Sequence, residues 1–198
     1  MVKAVIFDFD GVICNTLDLA YSINNKLFPE MSLDDYKNLF DGNVYKNGNF
    51  TTESMKEFFK QQDEKFQELR IENSIIQELQ KIKDQFPLYI ITSNMASSLN
   101  IIFENNGMIN LFDQVLGTET EKSKVKKFEM LLNQHNLKSE DCIFISDTLG
   151  DIKEASKLNI KTIAVDFGFH ERVRLEQGNP FRIVSDFKEI YPILQELQ

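Results

Sequence analysis

The fold is decided at the N-terminal stretch Met1-Val2-Lys3-Ala4-Val5-Ile6-Phe7-Asp8-Phe9-Asp10-Gly11-Val12-Ile13. Lys3 to Phe7 reads as a short apolar run without polar alternation, the pattern of a strand buried on both faces. It stops at two carboxylates and a glycine. Further runs of this kind recur at Leu88–Thr92, Gln114–Leu116, Cys142–Ser146 and Lys161–Val165. Helical periodicity lies between most of them. Ser98–Asn105 brings Leu99, Ile102 and Phe103 to one face, with Gly107 as a stop. Val125–Gln134 groups Phe128, Leu131 and Leu132, and Ile152–Leu158 reads as a short helix. Alternating strand and helix predict an α/β domain with a doubly wound parallel sheet and right-handed crossovers. Arg182–Val184 adds an edge strand. Phe187, Ile190, Leu194 and Leu197 suit a closing amphipathic helix.

One interval breaks the alternation. About eighty residues separate the first strand from Leu88, far more than a crossover needs. Leu17, Ala20 and Tyr21 share a helical face. Leu33, Tyr36, Lys37 and Phe40 form a second set after Ser32, an N-cap. Met55, Phe58, Phe59, Phe66 and Leu69 make a third stripe, read as core packing. Asp41 to Asn49 carries loop chemistry. The expectation is an inserted helical cap over residues 16–72, with 1–15 and 73–198 forming the core.

Composition narrows the function classes. The 198 residues carry a net charge of −9 and are 42 % hydrophobic, as in an ordinary globular protein. An acidic chain argues against a nucleic-acid binder, which presents a basic face. It is compatible with a phosphorylated small molecule if a cation and local donors neutralise the phosphate. The N-terminal apolar run is shorter than a signal-peptide core, and no stretch reaches the ~20 apolar residues of a membrane span. Two cysteines, Cys14 and Cys142, form no disulfide framework. The expectations are a cytoplasmic location, no membrane or nucleic-acid partner, and a monomer or weak homodimer.

Ligands of open α/β sheets sit beyond the carboxyl ends of the strands. Asp8 and Asp10 follow the first strand, Thr92, Ser93 and Asn94 the second, and Ser146, Asp147, Thr148 and Asp151 the fourth. All three clusters therefore fall on one sheet edge. Converging carboxylates repel without a cation, and hard oxygen donors in that number suggest Mg²⁺.

With these residues the chain resembles the haloacid dehalogenase superfamily, in its phosphatase branch with a small helical cap on a Rossmann-like core. The resembling motifs, in family order, are Asp8-Phe9-Asp10-Gly11-Val12-Ile13, Tyr89-Ile90-Ile91-Thr92-Ser93-Asn94, Ser123-Lys124, and Ser146-Asp147-Thr148-Leu149-Gly150-Asp151. The resemblance implies a Mg²⁺-dependent phosphohydrolase of small phosphorylated metabolites, phosphoglycolate phosphatase-like. Asp8 is the implied nucleophile, already ionised at a reference pKa of about 3.9. Asp10 is the implied general acid and base, and its carbonyl a metal ligand. Thr92 and Lys124 are implied to hold the phosphoryl group, with Ser93 and Asn94 beside it. Asp8, Asp10 and Asp147 are implied to hold the metal.

Gly11 is read as turning the chain into the cap, and Thr16 as bonding Asp10 at the hinge. Asp151 is read either as holding the lysine or a metal-bound water, or as a helix N-terminal carboxylate. Val125 follows Lys124 where the family often has proline, so Lys122 stays open as the alternative lysine. The remaining lysines among Lys122, Lys124, Lys126 and Lys127 read as a solvated helix face. His170 reads as a loop residue with local hydrogen bonds, and His135 as a helix C-terminal residue. Two alternatives to hydrolysis remain: a β-phosphoglucomutase-like phosphomutase, and a catalytically silent phosphate-binding scaffold on the same fold.

Overall fold

The computed structural model describes residues 1–198 and places six strands in one sheet. They are β1 (Ala4–Phe7), β2 (Leu88–Ile91), β3 (Gln114–Leu116), β4 (Cys142–Ser146), β5 (Lys161–Val165) and β6 (Arg182–Val184). All pairs are parallel, in the order β3-β2-β1-β4-β5-β6. The chain builds outward from β1 on one side, then returns to β1's other side with β4. The strand order reverses between β1 and β4, which opens a crevice at their carboxyl ends.

Ten α-helices accompany the sheet. They are α1 (Leu17–Leu27), α2 (Leu33–Asn38), α3 (Val44–Asn47), α4 (Thr52–Phe66), α5 (Asn73–Lys83), α6 (Ala96–Asn105), α7 (Lys124–Gln134), α8 (Leu149–Ser156), α9 (Arg172–Glu176) and α10 (Ile190–Glu196). The two-residue period of each strand divides its side chains between two layers. Val5 and Phe7, Leu88 and Ile90, and Ile143 and Ile145 pack in one layer with Leu79 and Ile82 of α5, Ile102 of α6 and Ile190 of α10. Ala4 and Ile6, Tyr89 and Ile91, and Cys142 and Phe144 pack in the other with Phe128 and Leu131 of α7 and Ala155 of α8. Burial on both faces is why these strands read as continuous apolar runs.

Helices α1 to α4 lie between β1 and β2. Ser32 caps α2, its hydroxyl accepting the Asp35 N–H at 3.1 Å, and Thr51 caps α4 in the same way at 3.0 Å. A small cluster of Ala20, Tyr36 and Leu39 closes onto Phe169 from the sheet side. Phe66 at the end of α4 is fully buried in the main core, beside Phe9.

Some expectations are corrected. The stretch 41–49 is not all loop: Asn43 accepts the Tyr45 N–H at 3.2 Å and starts the short α3. The third apolar stripe does not continue as helix to Leu69. It ends at Phe66, and Leu69 packs on the core from the following turn. Helix α5, which the sequence pattern does not single out, is the crossover back to β2. Helix α8 starts at Leu149 rather than Ile152, because Thr148 caps it at the Asp151 N–H. Both cysteines are free and buried. No helix is long and apolar enough to cross a membrane.

Candidate active site

Strand register decides which polar residues meet. Phe7 is paired with Ile90 of β2 and Ile145 of β4. Asp8 extends the ladder by one bond, its N–H donating to the Ile145 carbonyl at 2.9 Å. Ser146 ends β4, so Asp147 emerges beside Asp8 at the point where strand order reverses. Asp8, Asp10, Ser93, Lys124, Asp147 and Asp151 line one pocket of about 30 Å³.

Lys124 organises the carboxylates. It is the first residue of α7 and only 3 % exposed. Its ammonium donates to Asp8 Oδ2 at 2.7 Å and to Asp151 Oδ2 at 2.6 Å. The Ser146 hydroxyl donates to the same Asp151 oxygen at 2.6 Å. Burial opposes the Lys124 charge, yet Asp151 and Asp8 outweigh it and hold the ammonium above its usual range. The geometry brings Lys124, not Lys122, to Asp8. Lys122 is exposed, its ammonium 5.3 Å from the centre of the Tyr45 ring.

The two carboxylates of the first motif differ in surroundings. Burial pushes Asp8 well above the usual carboxylate range, with Lys124 pulling the other way. Its ionisation is therefore not automatic, as the sequence alone suggested; it depends on Lys124 and on any cation that binds. Asp10 is also raised by burial, against the opposing hydrogen bonds of Thr16 and Asn94 and the Lys124 charge. The Thr16 hydroxyl donates to Asp10 Oδ1 at 2.5 Å, and Asn94 Nδ2 to Oδ2 at 2.6 Å. A carboxyl raised and held by two neutral donors is suited to trading a proton.

Asp147 is almost fully buried. Its Oδ2 accepts the Phe169 N–H at 2.7 Å, while Oδ1 is buried without any partner. Burial first, and nearby carboxylates, push it up to about 8. Gly11 makes this approach possible: at φ +68° its backbone lies against Asp147, and an added Cβ would overlap Asp147 Oδ2.

No three His, Cys, Asp or Glu side chains surround a common point. Two carboxylates with a main-chain carbonyl would not form such a cluster. An orphaned buried carboxylate oxygen beside Asp8, with oxygen donors alone, fits a hard divalent cation. Asp8 and Asp147 are the side chains at this pocket available to hold it.

Thr92 lies one layer back. It is fully buried, its hydroxyl accepts the Asn94 N–H at 3.1 Å, and Ser93 rather than Thr92 lines the pocket. Asn94 lines the adjoining cavity instead. Behind the site stands Lys127, which does not belong to a solvated helix face. It is fully buried, and its ammonium donates to the Thr92 carbonyl. Burial, with repulsion from Lys124, lowers it to about 8. Its three-residue spacing from Lys124 puts both on one helix face, the signal by which the sequence could have shown it.

Helices α1 to α4 press onto this edge. Tyr45 of α3 donates its hydroxyl to the Ser93 carbonyl at 2.7 Å, and Asn43 Nδ2 reaches the Lys122 carbonyl at 3.1 Å. His170 lies in the loop after β5 as expected, but it is fully buried and its bonds are not purely local. Its Nδ1 accepts the Leu149 N–H at 3.0 Å and its Nε2 meets the Lys37 carbonyl at 2.9 Å. Gly150 in the first turn of α8 lies under residues 40–42, where a Cβ would overlap the Gly42 carbonyl and come within 2.6 Å of the Phe40 carbonyl.

A parallel α/β sheet with acidic residues and a buried lysine at its switch point defines a phosphate- or cation-handling class of protein. Residues 5–165 match the family model described as haloacid dehalogenase-like hydrolase, and the chain belongs to that family. The "Phosphoglycolate phosphatase" of Colwellia psychrerythraea is 28 % identical over 108 residues, 53 % of this chain and 48 % of that one. A "5'-nucleotidase" of Pseudomonas aeruginosa is 25 % identical over 111 residues, 54 % of this chain and 50 % of that one. The chain spans about half the length of these curated relatives. A haloacid dehalogenase-like hydrolase from Streptococcus pneumoniae shares the fold with a TM-score of 0.80 and 23 % identity, covering 98 % of this chain and 99 % of that one.

Proposed function

We propose that the chain is a Mg²⁺-dependent phosphomonoester hydrolase of small phosphorylated metabolites, working through an aspartyl-phosphate. The observation that carries this reading is Lys124 joining Asp8 to Asp151 beside the orphaned Asp147 oxygen. The name phosphoglycolate phosphatase, borne by the Colwellia relative, is consistent with hydrolysis of a small ester. The reading takes residues 16–72 as the cap, 1–15 and 73–198 as the core, and the cytoplasm as the place of action.

In the proposed reaction an Asp8 carboxylate oxygen forms a bond to phosphorus as the bond to the leaving oxygen breaks. Asp10 gives its proton to that oxygen, and the product alcohol departs. Asp10, now ionised, takes a proton from water; the water oxygen bonds to phosphorus, the Asp8–phosphorus bond breaks, and phosphate leaves. Lys124 balances charge on Asp8 and on the phosphoryl oxygens. Ser93 faces the phosphoryl group, and Thr92 supports the strand end behind it. Asp8, Asp147 and the Asp10 carbonyl would hold Mg²⁺, which when bound supplies positive charge against the carboxylates and phosphoryl oxygens.

Asp8→Asn tests this reading. Turnover of simple phosphate esters with Mg²⁺ is expected to fall at least about a thousandfold while circular dichroism stays unchanged. Undiminished turnover in the folded variant refutes Asp8 as nucleophile.

A further inference from the structure

A second cavity, of about 100 Å³, opens beside the catalytic pocket. The two share Asp10, Phe40, Val44, Ser93 and Phe169, so a molecule seated at Asp8 extends into it. The third apolar stripe therefore does more than pack a core: Met55, Phe58 and Phe59 of α4 form one wall. Phe28 and Phe50 meet edge to face at 5.8 Å, as do Phe40 and Phe169 at 5.2 Å.

No lysine, arginine or histidine lines the cavity, and Asp10 is its only carboxyl. A carboxylate in the leaving group, such as that of phosphoglycolate, would face aromatic walls and a neighbouring acid without a counter-ion. One polar position stands open. Gln62, 2 % exposed, lines the cavity and leaves its Oε1 buried without a partner. A cavity that accepts benzene measures about 150 Å³, so this chamber of about 100 Å³, continuous with the catalytic pocket, takes at most about one ring and excludes a purine with its ribose.

We propose that the preferred substrate is a phosphomonoester whose leaving group is uncharged and apolar and about one aromatic ring in size, seated in this chamber. The inference rests on the phosphohydrolase reading above. Aromatic walls reward a flat apolar group, and Gln62 offers an acceptor to a polar substituent on it.

The test compares kcat/KM of the full chain with Mg²⁺ for ethyl phosphate, 2-phenylethyl phosphate, 2-phosphoglycolate and adenosine 5'-monophosphate. Ethyl and phenylethyl esters both release primary alcohols, so their intrinsic reactivities match. The phenylethyl ester is expected to exceed each of the others by about tenfold or more. Met55→Lys, which puts a cation in the wall, is expected to lower the phenylethyl-to-phosphoglycolate ratio by about tenfold or more. Phe59→Lys, on the same helix, serves if Met55→Lys does not fold. Equal turnover of ethyl and phenylethyl esters, preference for phosphoglycolate or the nucleotide, or an unchanged ratio in the folded lysine variant overturns the chamber assignment and leaves the phosphohydrolase reading standing. Failure of every ester above the Asp8→Asn blank overturns both.

Discussion

Gly11 and Gly107 offer a matched pair of substitutions. Their φ angles are +68° and +69°, so alanine meets the same backbone penalty at each. Left-handed backbone costs an alanine about 1–2 kcal/mol. The loss of unfolded-state freedom returns about 0.4–1 kcal/mol of that. Gly107→Ala, with nothing within 4 Å of its Cβ, is therefore expected to cost about 1 kcal/mol. At Gly11 the new Cβ overlaps Asp147 Oδ2. Asp147 must then move and leave the buried Phe169 N–H without its acceptor, breaking a bond of 2.7 Å. That adds about 1–3 kcal/mol, for a total of about 2–4 kcal/mol. Equilibrium urea unfolding, with a slope of about 2 kcal/mol/M, should then separate the midpoints of the two variants by about 0.5 M or more. Because Asp147 is displaced, Gly11→Ala should also lose about a hundredfold in turnover, and Gly107→Ala almost none. Coincident midpoints, or full activity in Gly11→Ala, would refute the packing of Gly11 against Asp147.

Two further outcomes are expected. Gly150→Ala should cost about 1–3 kcal/mol of stability, because its Cβ would overlap the Gly42 carbonyl and lie 2.6 Å from the Phe40 carbonyl and the 40–42 segment must shift, and it should lower kcat/KM by about tenfold or more; unaltered stability and kinetics would contradict it. Lys127 is lowered from its ordinary value to about 8, so between about pH 8 and 10.4 the unfolded chain holds a proton that the folded chain has released, and stability rises with pH through that window. The wild type should gain about 1–3 kcal/mol there relative to Lys127→Met, read from urea midpoints across the range, and parallel pH profiles would dismiss the buried lysine as the cause.

How much of this was legible in the sequence follows from the range of the forces involved. Apolar runs such as Ala4–Phe7 and Cys142–Ser146 announce strands buried on both faces, because each residue must find an apolar layer whichever way it points. The acidic and hydroxyl clusters directly after those strands marked the sheet edge where the site lies, since parallel strands all end there. Helix caps at Ser32 and Thr51 were likewise local and readable for the first of these. Helix α5 was not, because it starts after Glu72 with no side-chain cap to announce it.

The amino-acid order thus determined the doubly wound sheet, the long helical stretch between β1 and β2 and the identity of the carboxylates at β1 and β4. Tertiary structure decided which lysine reaches Asp8, because Lys124 opens α7 and turns inward whereas Lys122 lies before the helix and stands over the Tyr45 ring. It also buried Lys127, left the Asp147 Oδ1 without a partner, and turned half an aromatic stripe into the wall of a chamber. The physical reason is the same in each case. Periodicity specifies which face of an element is apolar, whereas the charge state of a side chain and the empty space beside it arise from groups far away in sequence that only folding brings within a few ångströms.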